Sequence, residues 1–161
     1  MRIRQGLTKD DDAIIDCLRK FADYQPWGKL KAEAEHYNDH HVRKILDAIR
    51  KKGIMLVAED VEKRSLTKPG DIAGVFMAIV APDIWLPQLV SLNELVWWVN
   101  PEYRETTVGY RLFKEYQKIG EQMVKDKKIN NFTMTLLENS PKIDLEKRGW
   151  DKVETNYVFG A

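Results

Sequence analysis

The sequence has a single cysteine, Cys17, so no disulfide can form within its 161 residues. It also lacks any run approaching the roughly 20 apolar residues of a membrane-spanning helix, and its first residues, MRIRQGL, do not form the apolar core of a signal peptide. Neither sign of charge dominates, because 26 basic residues face 25 acidic ones. We therefore expect a cytoplasmic protein with no membrane or nucleic-acid partner.

The composition is that of a folded domain, with 43% hydrophobic and 10% aromatic residues. A chain of this length can bury one substantial core. The sequence shows no internal repeat, low-complexity segment or linker. We expect one domain, residues 1–161.

The chain is organised around residues 91–124, which predict a strand, a short loop and a helix. The segment SLNELVWWV is apolar on both alternating faces, as in strands that are covered on both sides. Asn100 and Pro101 end this strand, and Gly109 begins a helix whose apolar residues recur at helical spacing. This arrangement directs free N–H groups and the positive end of a helix dipole at one point, which predicts an anion site.

The loop resembles the acetyl-coenzyme A signature of the GNAT superfamily of N-acetyltransferases. That signature is Arg or Gln, two residues, Gly, one residue, and Gly or Ala; Arg104 and Gly109 match it, and Thr107 stands at the first glycine. The resemblance implies acetyl transfer from acetyl-CoA, without a metal, to a primary amine of a small molecule or protein by direct attack. The coenzyme A-binding residues that it implies are Trp98, Val99, Arg104, Glu105, Thr106, Thr107, Val108, Gly109, Tyr110 and Asn139.

Within this set the residues have different expected roles. Backbone N–H groups near Trp98 and Val99 are the donors that the family implies for the thioester oxygen. Arg104 and the N–H groups from Glu105 to Tyr110 are expected to hold the pyrophosphate, with Gly109 allowing close phosphate approach. Thr106 or Thr107 acting as an ordinary helix N-cap is the structural alternative, and both roles can hold together.

Patterns elsewhere predict an α/β fold: a mixed, largely antiparallel twisted sheet with helices on both faces and a central parallel strand-helix-strand crossover. The predicted strands are Arg2–Leu7, Ile54–Glu59, Asp71–Val80, Ser91–Val99, Asn131–Leu137 and a final antiparallel pair, Trp150–Glu154 with Asn156–Phe159. The predicted helices begin at Thr8, span Leu30–Lys51, follow Gly109, and run from Asn139 to Arg148. Cys17 falls on an apolar helix stripe and is expected in the core. The apolar loop Pro82–Pro87 is expected to pack onto the domain, with a pocket wall or a partner contact as alternatives.

The region after the first helix covers the acceptor side of the cleft in the family. Tyr24, Trp27, Tyr37 and His40 are therefore candidates to contact the acceptor, and simple packing is the alternative. His36 and His40 would share a helix face, but no carboxylate or cysteine stands at a spacing that would complete a metal site, so no metal is expected.

The C-terminal part also resembles the family, in which an Asn starts the last helix and a Gly followed by an aromatic residue ends it. Asn139 and Gly149-Trp150 fit this pattern. Many relatives carry a tyrosine four residues before that glycine as general acid for the coenzyme A thiolate, and here the position is Leu145.

Glu94 lies on the central strand among large apolar residues. Alternation predicts that it shares a face with Leu92, Val96 and Trp98. Burial there would raise its pKa from about 4.3 toward neutrality, where a carboxylate best accepts a proton from an ammonium or a relaying water. We expect Glu94 to be the general base, with a buried ion pair or an exposed position as the alternatives.

A catalytically impaired member of the fold, acting as an acyl-CoA-binding or protein-interaction module, is the rival hypothesis. Thr107, Glu105 and Leu145 favour it, because each departs from what the donor site or the chemistry needs. Nucleic-acid binding through Lys125–Lys128 is the weaker alternative, since the mixed charge there is typical of a solvated helix end. The sequence leaves a homodimer open.

Overall fold

The computed structural model of the protein describes residues 1–24, 38–63, 70–136, 140 and 143–154. Its strands are β1 (Arg2–Gln5), β2 (Gly53–Asp60), β3 (Asp71–Pro82), β4 (Val90–Val99) and β5 (Asn131–Phe132). Its α-helices are α1 (Asp11–Tyr24), α2 (Asp39–Lys52) and α3 (Val108–Lys125). Short 3-10 turns cover Thr8–Asp10, Val61–Lys63, Pro101–Tyr103 and Glu146–Arg148.

The five strands form one sheet in the order β1-β2-β3-β4-β5. The first three pairings are antiparallel, and β4 pairs with β5 in parallel through the α3 crossover. The predicted α/β architecture with a mixed, largely antiparallel sheet is therefore confirmed. This order leaves β4 between an antiparallel neighbour and a parallel one.

Helices cover both faces of the sheet, which explains why β2, β3 and β4 read as nearly continuous apolar runs. On one face, α1 and α2 bury side chains such as Ile14 and Leu46 against Val75 and Trp98. On the other face, α3 packs around Phe76. Cys17 is buried with 1% of its surface exposed, as expected, and burial raises the pKa of its thiol to about 11.

Two helix starts differ from the prediction. The first α-helix begins at Asp11 instead of Thr8, because a 3-10 turn precedes it. At this end the carboxylate of Asp10 accepts the N–H of Leu7 at 2.8 Å. The next described helix begins at Asp39, where the Asn38 side chain accepts the N–H of His41 at 3.0 Å. The expectation that one helix spans Leu30–Lys51 is therefore wrong, because this helix begins only after its capping residue Asn38. Residues 30–37 lie outside the described ones.

The apolar loop between β3 and β4 does not pack onto the domain. Ile84 and Trp85 expose 84% and 86% of their surface, respectively. The loop is nevertheless ordered by its own hydrogen bonds, since Asp83 Oδ1 accepts the N–H groups of Trp85 and Leu86 at 2.8 and 2.9 Å. The expectation of packing was wrong because local turn bonds fix the loop in an outward direction.

The described residues of the C-terminal part contain less regular structure than predicted. Pairing in β5 covers Asn131 and Phe132, and among the described residues the final helix is represented by one 3-10 turn that ends at Gly149 in the left-handed conformation. Trp150–Glu154 forms no strand among the described residues, and its predicted partner, Asn156–Phe159, lies outside them.

Candidate functional site

The candidate site lies where β4 and β5 stop pairing. Their parallel register covers Ser91 with Asn131 and Leu92 with Phe132, and the ladder ends with Thr133 N–H donating to Leu92 O at 2.9 Å. Along the described residues that follow, β4 continues for seven more positions without a ladder partner on this side. An open strand edge of this kind presents peptide groups that a ligand can pair with.

A β-bulge reorients β4 next to this point. Ala78 pairs with Glu94 and Met77 with Val96, so Leu95 is an extra residue in β4. The bulge changes the phase of the alternation: Leu92 packs with α3, whereas Val96 and Trp98 pack with α1 and α2. The expectation that Glu94 shares a face with Val96 and Trp98 was therefore wrong, because strict alternation does not continue through an inserted residue.

Glu94 sits at the end of the ladder and is not fully exposed. Its Oε2 accepts the N–H of Thr135 at 3.2 Å. Burial raises its pKa to about 7, and the hydrogen bonds from Thr135 oppose this rise. The part of the chain that the structure describes brings no lysine or arginine into an ion pair with Glu94. A carboxylate with these properties can accept a proton at neutral pH.

The open edge of β4 carries the peptide groups of Trp97 and Val99. On the β3 side of β4, the Asn100 N–H donates to Ala73 O at 2.9 Å. Along a strand, the peptide groups of successive residues point to opposite neighbours, so the Trp98 N–H also points toward β3. The Val99 carbonyl accepts a bond from Arg104 on the open side, in agreement with this assignment. The donor expected from Trp98 is thus occupied by the sheet, and Trp97 takes its place beside Val99.

The loop before α3 leaves several N–H groups free. Among the described residues, none of the N–H groups of Glu105, Thr107, Gly109 and Tyr110 has an acceptor. Thr107 is the N-cap residue of α3, but its side chain forms no cap bond. Thr106 Oγ1 instead accepts the N–H of Val108 at 3.3 Å and donates to Tyr103 O at 2.6 Å. An uncapped helix start with free donors has the chemistry of a phosphate site.

Gly109 faces the sheet. A Cβ atom at this position would lie 3.4 Å from Val99 Cγ2 and 3.7 Å from the Trp97 ring. Gly109 therefore faces β4 with room for a Cβ atom, whereas the expected role of its missing side chain was access for phosphate. The Trp97 indole Nε1 lies beside this contact and is buried without an acceptor among the described residues.

The Arg104 side chain packs against two aromatic rings. Its guanidinium lies 4.4 Å from the centre of the Tyr24 ring and 4.5 Å from that of Trp98. Its Nε donates to Val99 O at 3.1 Å. Arg104 thus connects the end of α1 to the end of β4, a cation–π role that the loop pattern does not reveal.

The acceptor-side candidates are only partly described. Tyr24 ends α1, is 42% exposed and meets Trp98 edge to face, with ring centres 5.6 Å apart. His40 is exposed in the first turn of α2. Trp27, Tyr37 and Asn139, together with His36, lie outside the described residues. Over the described ranges no group of His, Cys, Asp and Glu side chains could hold a metal ion.

Leu145 starts the 3-10 turn that Gly149 ends, so the position at which many relatives have a tyrosine is part of an ordered turn.

Tyr116, a member of the apolar stripe of α3, lies at the site but is not among the site residues predicted from the sequence. Its hydroxyl lies 2.6 Å from Thr133 O and 3.3 Å from Leu92 O, at the end of the ladder. A tyrosine in a stripe of aliphatic residues was the only signal, since a buried hydroxyl needs a partner.

An open groove of about 690 Å³ lies on another side of α3, against β1. Its lining includes Arg2, Ile3, Tyr110, Arg111 and Lys114. Of the described candidate residues, only Tyr110 borders the groove, and Glu94 does not line it. No described helix is both long and apolar enough to cross a membrane.

Comparison with known proteins relates the fold to solved structures. No family model matches the chain, and no curated protein matches it in sequence. A Trypanosoma brucei acetyltransferase matches with a TM-score of 0.67 at 17% identity, over 99% of both chains. Glucosamine-6-phosphate N-acetyltransferase from Arabidopsis thaliana matches with a TM-score of 0.65 at 13% identity, over 99% of this chain and 97% of that one.

A GNAT family acetyltransferase from Staphylococcus aureus matches with a TM-score of 0.60 at 13% identity, over 99% of this chain and 98% of that one. These likenesses extend over whole chains, and the sequence identities are low enough that they concern the fold alone. The element order, the parallel β4–β5 pair and these matches agree: the chain has the fold of the GNAT superfamily of acetyltransferases.

Proposed function

We propose that this protein is an N-acetyltransferase that transfers the acetyl group of acetyl-CoA to a primary amine by direct attack. The observation that carries the proposal is the placement of Glu94: a half-buried carboxylate, whose pKa burial raises to about 7, stands where β4 loses its parallel partner. From there the open edge of β4 leads to the uncapped start of α3. One strand thus connects a candidate base to a candidate phosphate site.

The donors at this site fit an acyl-CoA. The free N–H groups of the loop and the start of α3 suit the pyrophosphate. Glu102 and Glu105 are the two acidic residues of that loop. The peptides of Trp97 and Val99 can pair with the amides of the pantetheine arm or with the thioester oxygen. The buried indole N–H of Trp97, which has no acceptor among the described residues, is a further donor beside them.

The chemistry follows from these positions. Glu94 accepts a proton from the ammonium, directly or through water, and the neutral amine then attacks the thioester carbon. Peptide N–H groups of β4 stabilise the negative oxygen that forms. As the carbon–sulfur bond breaks, the nitrogen loses a second proton, and this proton neutralises the thiolate. The first proton, held by Glu94, then passes to solvent. Because Leu145 cannot donate a proton to the thiolate, we assign no side chain to that step.

The experiment has two stages. Coenzyme A should raise the melting temperature, because a ligand at a hundredfold excess over its dissociation constant adds about 2.7 kcal/mol of stability. Release of free thiol from acetyl-CoA should then be measured across a panel of amines, peptides and protein lysines. Glu94→Gln should keep coenzyme A affinity and lower turnover roughly 10²-fold, most strongly at low pH where few amines are neutral. Wild-type turnover in Glu94→Gln at every pH would remove Glu94 from the mechanism.

A binding module without catalysis is the second candidate. Leu145 favours it, because the position where many relatives have a proton-donating tyrosine carries an aliphatic side chain. Coenzyme A binding without thiol release across the whole panel would support this candidate. A cytoplasmic location and the absence of a metal remain parts of the proposal, and a homodimer stays open.

A further inference from the structure

Beyond the last backbone hydrogen bond of the β4–β5 ladder, side chains replace the backbone partners. Thr133 N–H donates to Leu92 O in the last backbone rung. If the parallel pattern continued, Glu94 N–H would donate to Thr133 O, and Thr135 N–H would donate to Glu94 O. Neither backbone rung forms in the structure. Thr133 O and the Thr135 N–H, on the β5 side, have other partners.

Tyr116 and Glu94 supply these partners. The Tyr116 hydroxyl donates to Thr133 O at 2.6 Å, and Glu94 Oε2 accepts the N–H of Thr135 at 3.2 Å. Each side chain thus satisfies the backbone group that the next rung would have used. With a carboxylate between them, the two backbones cannot approach to the ordinary spacing of about 4.8 Å.

We propose that Tyr116 is a positioning residue, which together with Glu94 holds β4 and β5 apart and keeps the slot between them open. The slot's occupant, the pantetheine arm of acetyl-CoA, rests on the proposed function. The separation of the strands rests on the hydrogen bonds alone. Glu94 therefore has a structural role in the same place as its proposed catalytic one.

The packing around Tyr116 makes it suitable for this role. The side chain is fully buried and stacks on Phe76, with ring centres 4.3 Å apart and an interplanar angle of 26°. Phe132 of β5 meets it edge to face at 5.7 Å. The ring therefore has no space to move aside, and its hydroxyl stays against the β5 backbone.

Tyr116→Phe removes the hydroxyl and keeps the ring. Thr133 O is then left without a donor, and an unsatisfied buried carbonyl costs about 1–3 kcal/mol. In the parallel register, the Glu94 N–H is the backbone donor that faces Thr133 O. A hydrogen bond from the Glu94 N–H to Thr133 O should therefore form in the variant, and the slot between β4 and β5 should narrow. Coenzyme A should bind this variant about 10-fold or more weakly.

Amide hydrogen exchange measured by NMR tests the strand separation without a ligand. In the wild type, the Glu94 amide should exchange about 10-fold or more faster than the Thr133 amide, which has a backbone acceptor. In Tyr116→Phe, the Glu94 amide should become protected by a similar factor. Tyr103→Phe is the matched control, since it removes a buried hydroxyl bonded to Asp60 at 3.2 Å, away from the ladder, and should leave the Glu94 amide unchanged.

The outcomes separate this inference from the proposed function. A wild-type protein that fails to bind coenzyme A overturns the function, while the amide measurements still decide the role of Tyr116. A wild-type Glu94 amide as protected as that of Thr133 overturns the inference, and this reading needs no variant to fold. Equal coenzyme A affinity in wild type and Tyr116→Phe, with no change at the Glu94 amide, overturns it as well.

Discussion

Replacing Glu94 by glutamine should stabilise the protein above neutral pH. Burial raises the pKa of this carboxyl from 4.5 to about 7 in the folded state. A group with a raised folded pKa contributes its full stability below the unfolded pKa and loses it as the pH rises through the folded pKa. Between pH 4.5 and 7 the wild type should therefore lose about 3 kcal/mol from this one residue.

Glutamine can still accept the N–H of Thr135 but carries no charge. Urea unfolding at several pH values should therefore show equal stability for wild type and Glu94→Gln at pH 4, and an advantage of up to about 3 kcal/mol for the variant at pH 8.5. Glu121→Gln on the exposed face of α3 is the control, and its difference from wild type should not change with pH. A constant difference between Glu94→Gln and wild type from pH 4 to 8.5 would refute the raised pKa.

Three further substitutions test the packing around the site. Gly109→Ala should be neutral or stabilise the protein by up to about 1 kcal/mol in thermal unfolding, because its Cβ would meet Val99 at an ordinary 3.4 Å; a large loss would contradict the contact. Gly120→Ala in the same helix should destabilise it, because its Cβ would lie 2.7 Å from the Phe132 ring, and a gain in melting temperature would show that the ring can move. Asn100→Ala should cost about 2–4 kcal/mol in urea unfolding, because it leaves a buried indole N–H and a carbonyl without partners. A cost below about 1 kcal/mol would mean that water replaces the amide.

The sheet and its helices follow from local patterns. The runs of apolar residues in β2, β3 and β4 predicted buried strands, and the stripe on α3 predicted its packing. The order of elements then predicted the antiparallel hairpin and the parallel crossover. These features depend on neighbours in the chain, which is why the sequence was sufficient for them.

The site depended on contacts that the pattern does not contain. The run from Leu95 to Val99 is apolar on both faces, so it holds no signal for the phase change at the bulge. Arg104 matches the family loop, but its position depends on Tyr24, 80 residues earlier in the chain. In the sequence, Tyr116 is one more residue of the α3 apolar stripe. Its role depends on the contact between its hydroxyl and Thr133 O, which only the folded structure shows. Each of these features is set by tertiary neighbours, which override local expectation.

The brief pairing between β4 and β5 also has a consequence for how the chain assembles. Strands β2, β3 and β4 follow one another and pair as antiparallel neighbours, so they can associate as they leave the ribosome. The fifth strand comes only after the 18 residues of α3 and gains two paired positions. Non-local parallel pairing is slow to form, since a long loop must close first. We therefore expect the second wall of the slot to be the last part of the sheet to assemble, after the first four strands have already formed a stable surface.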